Sequence, residues 1–199
     1  MKIGILISGR GSNMVALAEA VQSGRVVGCE IAVVISDKKT AEGLLKAELR
    51  GIETLVVARG GRSREEHDAE IVDELKRRGV ELVCLAGYMR LLSKDFIKAF
   101  PNRIVNIHPS LLPAFPGLDA QRQAVDYGVK ISGCTVHFVD EDLDHGPIIL
   151  QKAIEVDSED TAESLAAKIL EQEHLLYVEA LKLIVERGIE ISGRKVSLL

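Results

Sequence analysis

Short apolar runs separated by helical patterns constrain this chain more than any single residue does. Lys2–Ser8, Glu30–Ser36, Glu53–Val57, Glu81–Gly87 and Arg103–Ile107 are rich in Val, Ile and Leu and read as strands. Asn13–Ser23, Ala41–Arg50, Arg64–Arg78 and Lys94–Phe100 read as the helices between them. Gly24, Gly51 and Gly79 follow the first three of these helices and Pro101 the fourth, all residues that stop a helix. Ile31-Ala32-Val33-Val34-Ile35 is apolar without alternation, as in a strand covered on both faces. Strand and helix in alternation imply right-handed crossovers, and so an α/β fold with an open, mostly parallel sheet flanked by helices.

The second half is less regular. Asp119–Tyr127 reads as a helix. Ser132–Val139 and Pro147–Val156 read as strands joined by an acidic loop, which predicts a mixed edge to the sheet. Thr161–Arg187 reads as one long helix, with Asp160 and Glu163 placed as a capping box. No repeat or linker interrupts the 199 residues, a length that suits one domain.

Composition excludes some functions. A net charge of −5 argues against broad nucleic-acid binding, which needs a basic surface, but leaves room for a local phosphate pocket. No apolar run approaches the ~18 residues of a membrane helix, and the apolar start at Met1–Ile7 lacks a signal peptide's layout. Cys29, Cys84 and Cys134 lie far apart in apolar stretches and read as reduced core residues. A cytoplasmic protein without a membrane segment is the expectation.

Three segments carry chemistry. Ser8-Gly9-Arg10-Gly11-Ser12-Asn13 joins the first strand to the first helix. It is either a tight turn capped by Ser12 or Asn13, or a phosphate site where backbone N–H groups meet an anion at a strand's carboxyl end. A dinucleotide fingerprint fits poorly, because Met14 stands where the third glycine belongs, although Asp37 lies where a ribose-binding acid would. In Asn106-Ile107-His108-Pro109-Ser110-Leu111-Leu112-Pro113, Asn106 and His108 share one strand face, and Pro109 keeps His108 extended. A donor beside a proton-moving imidazole is what acyl transfer needs. Asp140-Glu141-Asp142-Leu143-Asp144-His145-Gly146-Pro147 is either a solvated acidic turn or a loop that offers Asp144 to His108. Its glycine and its twelfth residue do not match a calcium loop. His137 reads as a hydrogen-bonded histidine near the site, and His67 and His145 as surface residues. No His/Cys spacing suggests zinc, so no metal is expected.

Together these segments resemble the phosphoribosylglycinamide formyltransferases, a branch of the folate-dependent formyltransferases. Ala86-Gly87-Tyr88-Met89-Arg90-Leu91-Leu92 and Gln172-Glu173-His174 extend the likeness over nearly the whole chain. The resemblance implies a Rossmann-like formyltransferase fold, with a nucleotide-binding half over residues 1–100 and a catalytic, folate-binding half over 101–199. It implies 10-formyltetrahydrofolate as donor, 5-phosphoribosylglycinamide as acceptor, no metal, and a monomer or homodimer without nucleic-acid or membrane partners. Asn106, His108 and Asp144 are then catalytic. Gly11, Ser12 and Asn13 hold the phosphate, and Glu173 contacts the ribose. Met89, Leu91, Leu92, Ile97, Ile104 and Asn106 line the folate site. Arg64 and Arg90 face its glutamate end, and Asp140, Glu141, Asp142 and Leu143 lie over the pteridine. One departure is Asp119, where many relatives carry His. Other folate-dependent formyltransferases, formyltetrahydrofolate hydrolase and a non-catalytic nucleotide-binding module are the alternatives.

Overall fold

A computed structural model describes all 199 residues, which form two compact units, Met1–Asn106 and Ile107–Leu199. The first unit runs β1 (Lys2–Ile7), α1 (Ser12–Gln22), β2 (Glu30–Ser36), α2 (Glu42–Glu48), β3 (Thr54–Val56), α3 (Arg64–Arg77), β4 (Leu82–Leu85) and α4 (Lys94–Ala99). Strand β5 (Ile104–His108) crosses the boundary. The second unit continues with α5 (Ala120–Tyr127), β6 (Ile131–Phe138), β7 (Ile148–Glu155), α6 (Ala162–Lys182), a π-helical turn (Leu183–Arg187), β8 (Ile189–Ser192) and β9 (Lys195–Leu198).

Strand order in the seven-stranded sheet is β3-β2-β1-β4-β5-β6-β7. The β1–β2, β1–β4, β2–β3 and β4–β5 pairs are parallel, and β6–β7 is antiparallel, so the predicted mixed edge is present. Continuous apolar runs became the central strands because both faces are covered: Ile3, Ile5, Leu6 and Ile7 of β1 are all fully buried. Each such side chain contributes about 1.5–3 kcal/mol through burial. No helix is long and apolar enough to cross a membrane.

Most differences from the expected elements are a residue or two at the ends. Three go further. The capping box of α6 is made by Thr161 and Ser164, not by Asp160 and Glu163. Thr161 Oγ1 accepts from Ser164 N at 3.2 Å, and Thr161 N donates to Ser164 Oγ at 2.9 Å. Asp160 instead accepts from Lys168 Nζ and Ser164 Oγ, both at 2.7 Å. With the Lys168 bond as the main cause, these contacts hold its carboxyl down at about 2. Second, the long helix yields to the π-helical turn after Lys182. Leu183, Ile184 and Val185 continue the apolar pattern, so the widening left no mark in the sequence. Third, the C-terminal β8–β9 hairpin was not expected, because its strands of four residues are too short for a periodic signal.

Candidate active site

At the end of β1 the chain passes through Ser8–Gly11 into α1. Gly11 is the N-cap, at φ 68° and ψ 27°, and no side chain caps the helix. Ser12 and Asn13 are therefore first-turn residues rather than caps, and the first-turn N–H groups lack intrahelical acceptors. Helix α2 braces this loop. Gly43 N donates to Gly9 O at 3.0 Å, and Lys46 Nζ donates to Arg10 O at 2.8 Å. A Cβ on Gly11 would stand 2.7 Å from Gly43 Cα, so both positions need glycine for close backbone approach. Asp37, the acid a dinucleotide site would use for ribose, is buried and accepts from Arg90 Nε at 2.6 Å.

The same unit holds a cavity of about 250 Å³, lined among others by Arg59, Arg64, Arg90, Met89 and Leu91. Asp68 lines it as well, and Arg90 is ion-paired with Asp37. The turn that presents Met89 is fixed from β1: Ser8 N donates to Gly87 O at 3.0 Å, and Met89 N donates to Ser8 Oγ at 2.9 Å. Arg64 opens α3 after a capping box formed by Ser63 and Glu66. Arg59 lies on the loop before that box, with its Nε donating to Arg62 O at 2.8 Å. Arg59, which lines the cavity with Arg64, was not singled out in the sequence. His67 also lines this cavity but is buried, with Nε2 2.8 Å from Val57 O, which corrects its expected surface position. The polar run Arg64–Asp68 hid the fact that His67 and Asp68 face inward.

The second unit gathers His108 and Asp144. Strand β5 delivers His108 at its carboxyl end, two residues after half-buried Asn106 on the same strand face. His108 Nδ1 lies 3.3 Å from Asp144 Oδ2, and Nε2 lies 2.9 Å from Phe115 O. Both ring nitrogens thus face acceptors, and only the doubly protonated imidazolium can donate to both. Asp144 Oδ2 also accepts from Gly117 N at 2.8 Å. His137 Nε2 stands 3.9 Å from the other carboxylate oxygen, and its Nδ1 is 2.7 Å from Phe138 O. Burial pushes the His137 imidazole down, partly opposed by the Phe138 carbonyl and Asp144, so it serves as a neutral neighbour. Phe115, Asp119 and Asp144 all have positive φ, backbone strain of the kind that collects at functional sites.

A protein-family profile described as formyl transferase matches residues 1–181. The chain belongs to the formyl transferase family. It is 45% identical over 186 residues to a trifunctional purine biosynthetic protein of Drosophila melanogaster. Those residues are 92% of this chain but 14% of that protein. It is 39% identical to the phosphoribosylglycinamide formyltransferase of Bacillus subtilis, with 98% of each chain covered. The crystal structure of glycinamide ribonucleotide transformylase 1 from Symbiobacterium toebii superposes with a TM-score of 0.97 at 50% identity, over all of this chain and 94% of that one.

Glu173 is a buried residue of α6, the helix that packs against β6. Its charge helps hold the Cys134 thiol up at about 12, with burial as the larger cause. Asp140, Glu141, Asp142 and Leu143 precede Asp144 in one loop, where Leu143 is exposed and Asp142 N donates to Asp140 Oδ1 at 3.1 Å. Leu92 and Ile97 are half-buried around the start of α4, whereas Ile104 is buried within β5. His145 is exposed as expected, though it bonds Asp140, a link that sequence spacing did not suggest.

Proposed function

We propose that this protein moves the formyl group of 10-formyltetrahydrofolate onto the amine of 5-phosphoribosylglycinamide, a step of purine synthesis. The observation that carries the reading is the His108–Asp144 pair at 3.3 Å, at the end of a strand that also carries Asn106. The folate supplies an activated formyl carbon on N10, and the chain's residues do the rest. The N–H groups of the N-cap Gly11 and of first-turn Ser12 and Asn13 receive the phosphate, and Glu173 contacts the ribose. Arg64 and Arg90 meet the acidic tail of the donor, while Met89, Leu91, Leu92, Ile97 and Ile104 supply apolar packing. The loop of Asp140, Glu141, Asp142 and Leu143 lies over the pteridine.

As the amine bonds to the formyl carbon, negative charge builds on the formyl oxygen. Asn106 and the His108 imidazolium donate to that oxygen, a donor pair whose effect is greatest in the transition state. His108 exchanges the Phe115 carbonyl for the formyl oxygen to do so. Asp144 orients the ring and supplies the counter-charge. Through a water it also passes the proton from the attacking nitrogen to N10 as the C–N10 bond breaks. Holding both substrates together supplies a further large part of the rate. No covalent enzyme intermediate and no metal enters this scheme, and the protein acts in the cytoplasm as a monomer or homodimer.

The test is to mix purified protein with formylfolate and each candidate acceptor and follow the donor's absorbance. Rapid donor loss with 5-phosphoribosylglycinamide alone supports the reading. Equal loss with no acceptor would indicate a hydrolase, and no loss at all would leave a non-catalytic nucleotide-binding module.

A further inference from the structure

We propose that Arg194, on the turn between β8 and β9, is a positioning residue for Asp144. The proposal rests on the part given to Asp144 in the preceding section. Asp144 holds φ 50°, a left-handed backbone that costs an L-residue energy and persists only where the surroundings over-determine it. On one side its carboxylate is held by Gly117 N at 2.8 Å. Two residues later Gly146 is pressed against β6, where an added Cβ would stand 1.9 Å from Phe138 O. Between these anchors lies His145, whose side chain is exposed.

Arg194 supplies the missing hold. Its Nη2 donates to His145 O at 2.7 Å, and its Nη1 lies 2.8 Å from the ring Nε2. The same ring reaches Asp140 Oδ2 through Nδ1 at 2.9 Å. One guanidinium therefore fastens both the carbonyl of the residue after Asp144 and, through the imidazole, Asp140 at the start of the loop. The fork geometry suits Arg and not Lys, because two separate nitrogens are used on one residue. The hairpin lies beyond residue 181, where the family match ends, so this hold comes from outside the matched domain. The contacts are exposed, and exposed pairs add little to global stability. Their effect is local: they keep the 139–147 segment in the one conformation that sets Asp144 against His108.

The test compares the full chain with Arg194→Ala and Arg194→Lys by steady-state kinetics, thermal denaturation and amide hydrogen exchange. In Arg194→Ala, kcat should fall roughly tenfold, as expected for a slight misplacement of a catalytic group, with the ribonucleotide KM unchanged. Peptides covering 139–147 should exchange faster, while peptides from β1 and α1 and the Tm stay as in the wild type. Arg194→Lys should lie between the two, and it gives the same comparison if the alanine variant does not fold. Unchanged kcat, unchanged loop exchange, or faster exchange throughout the chain would each overturn the proposal. A wild-type protein that moves no formyl group to the ribonucleotide would refute the functional reading instead. The exchange data would still decide whether Arg194 holds the loop.

Discussion

Replacing Gly11 with alanine puts the phosphate loop to a quantitative test. The new Cβ would meet the backbone Cα of Gly43 at 2.7 Å, so no rotamer change relieves it. Left-handed φ costs an L-residue about 1–2 kcal/mol. Overpacking of this kind adds about 1–3 kcal/mol. At roughly 2–4 °C per kcal/mol for a chain of this size, Tm should drop by about 4–20 °C. The strain is relieved by moving the loop away from α2, which carries the first-turn N–H groups with it. Loss of one such bond to a charged phosphate, about 1.5–3 kcal/mol, raises the ribonucleotide KM roughly ten- to hundredfold. Binding of a folate analogue should not change. Gly9→Ala is the control, because nothing lies within 4 Å of its added Cβ. Thermal denaturation and steady-state kinetics on both variants decide the matter. A Gly11→Ala protein with wild-type Tm and KM, or a Gly9→Ala protein as damaged as Gly11→Ala, would refute the reasoning.

Two further outcomes follow from the geometry. Arg64→Ala should raise the formylfolate KM roughly tenfold, the worth of one lost charge-assisted bond, and more for polyglutamated donors. Unchanged kinetics with every donor length would remove Arg64 from the folate site. His137 is pushed down by burial, whereas the unfolded chain takes up that proton near the ordinary value of about 6.5. The unfolded state therefore binds more protons as pH falls through that value. The stability due to neutral His137 is complete above it and lost below it. Tm should fall between pH 7.5 and pH 5.5, and less steeply in His137→Gln; superimposable profiles would contradict this.

The sheet was legible in the sequence wherever a strand is covered on both faces, as in Ile31–Ile35, and wherever glycine stops a helix, as at Gly24 and Gly79. It was least legible where short-range rules compete. Asp160 and Thr161 are both good caps, and Thr161 won because Ser164 reaches back to its N–H. His67 sits in a run of charges, yet tertiary packing turns it toward Val57 O. The chemistry showed through because Asn106, His108 and the prolines cluster locally. The 3.3 Å approach of His108 to Asp144, 36 residues on, was legible only as a chemical requirement met by the family pattern. Arg194 on His145, 49 residues apart in sequence, had no such pattern behind it.

The central claim is that His108 and Asp144 act as one unit in formyl transfer, and a double-mutant cycle measures this directly. Single-turnover rates would be taken for wild type, His108→Asn, Asp144→Asn and the double variant, with saturating substrates. Each single change should slow transfer by about 10²–10⁴-fold, the usual worth of a proton-moving group. The double variant should be little slower than the slower single variant, as for residues that work through each other. Losses that multiply in a folded double variant, or full activity in either single variant, would contradict the account.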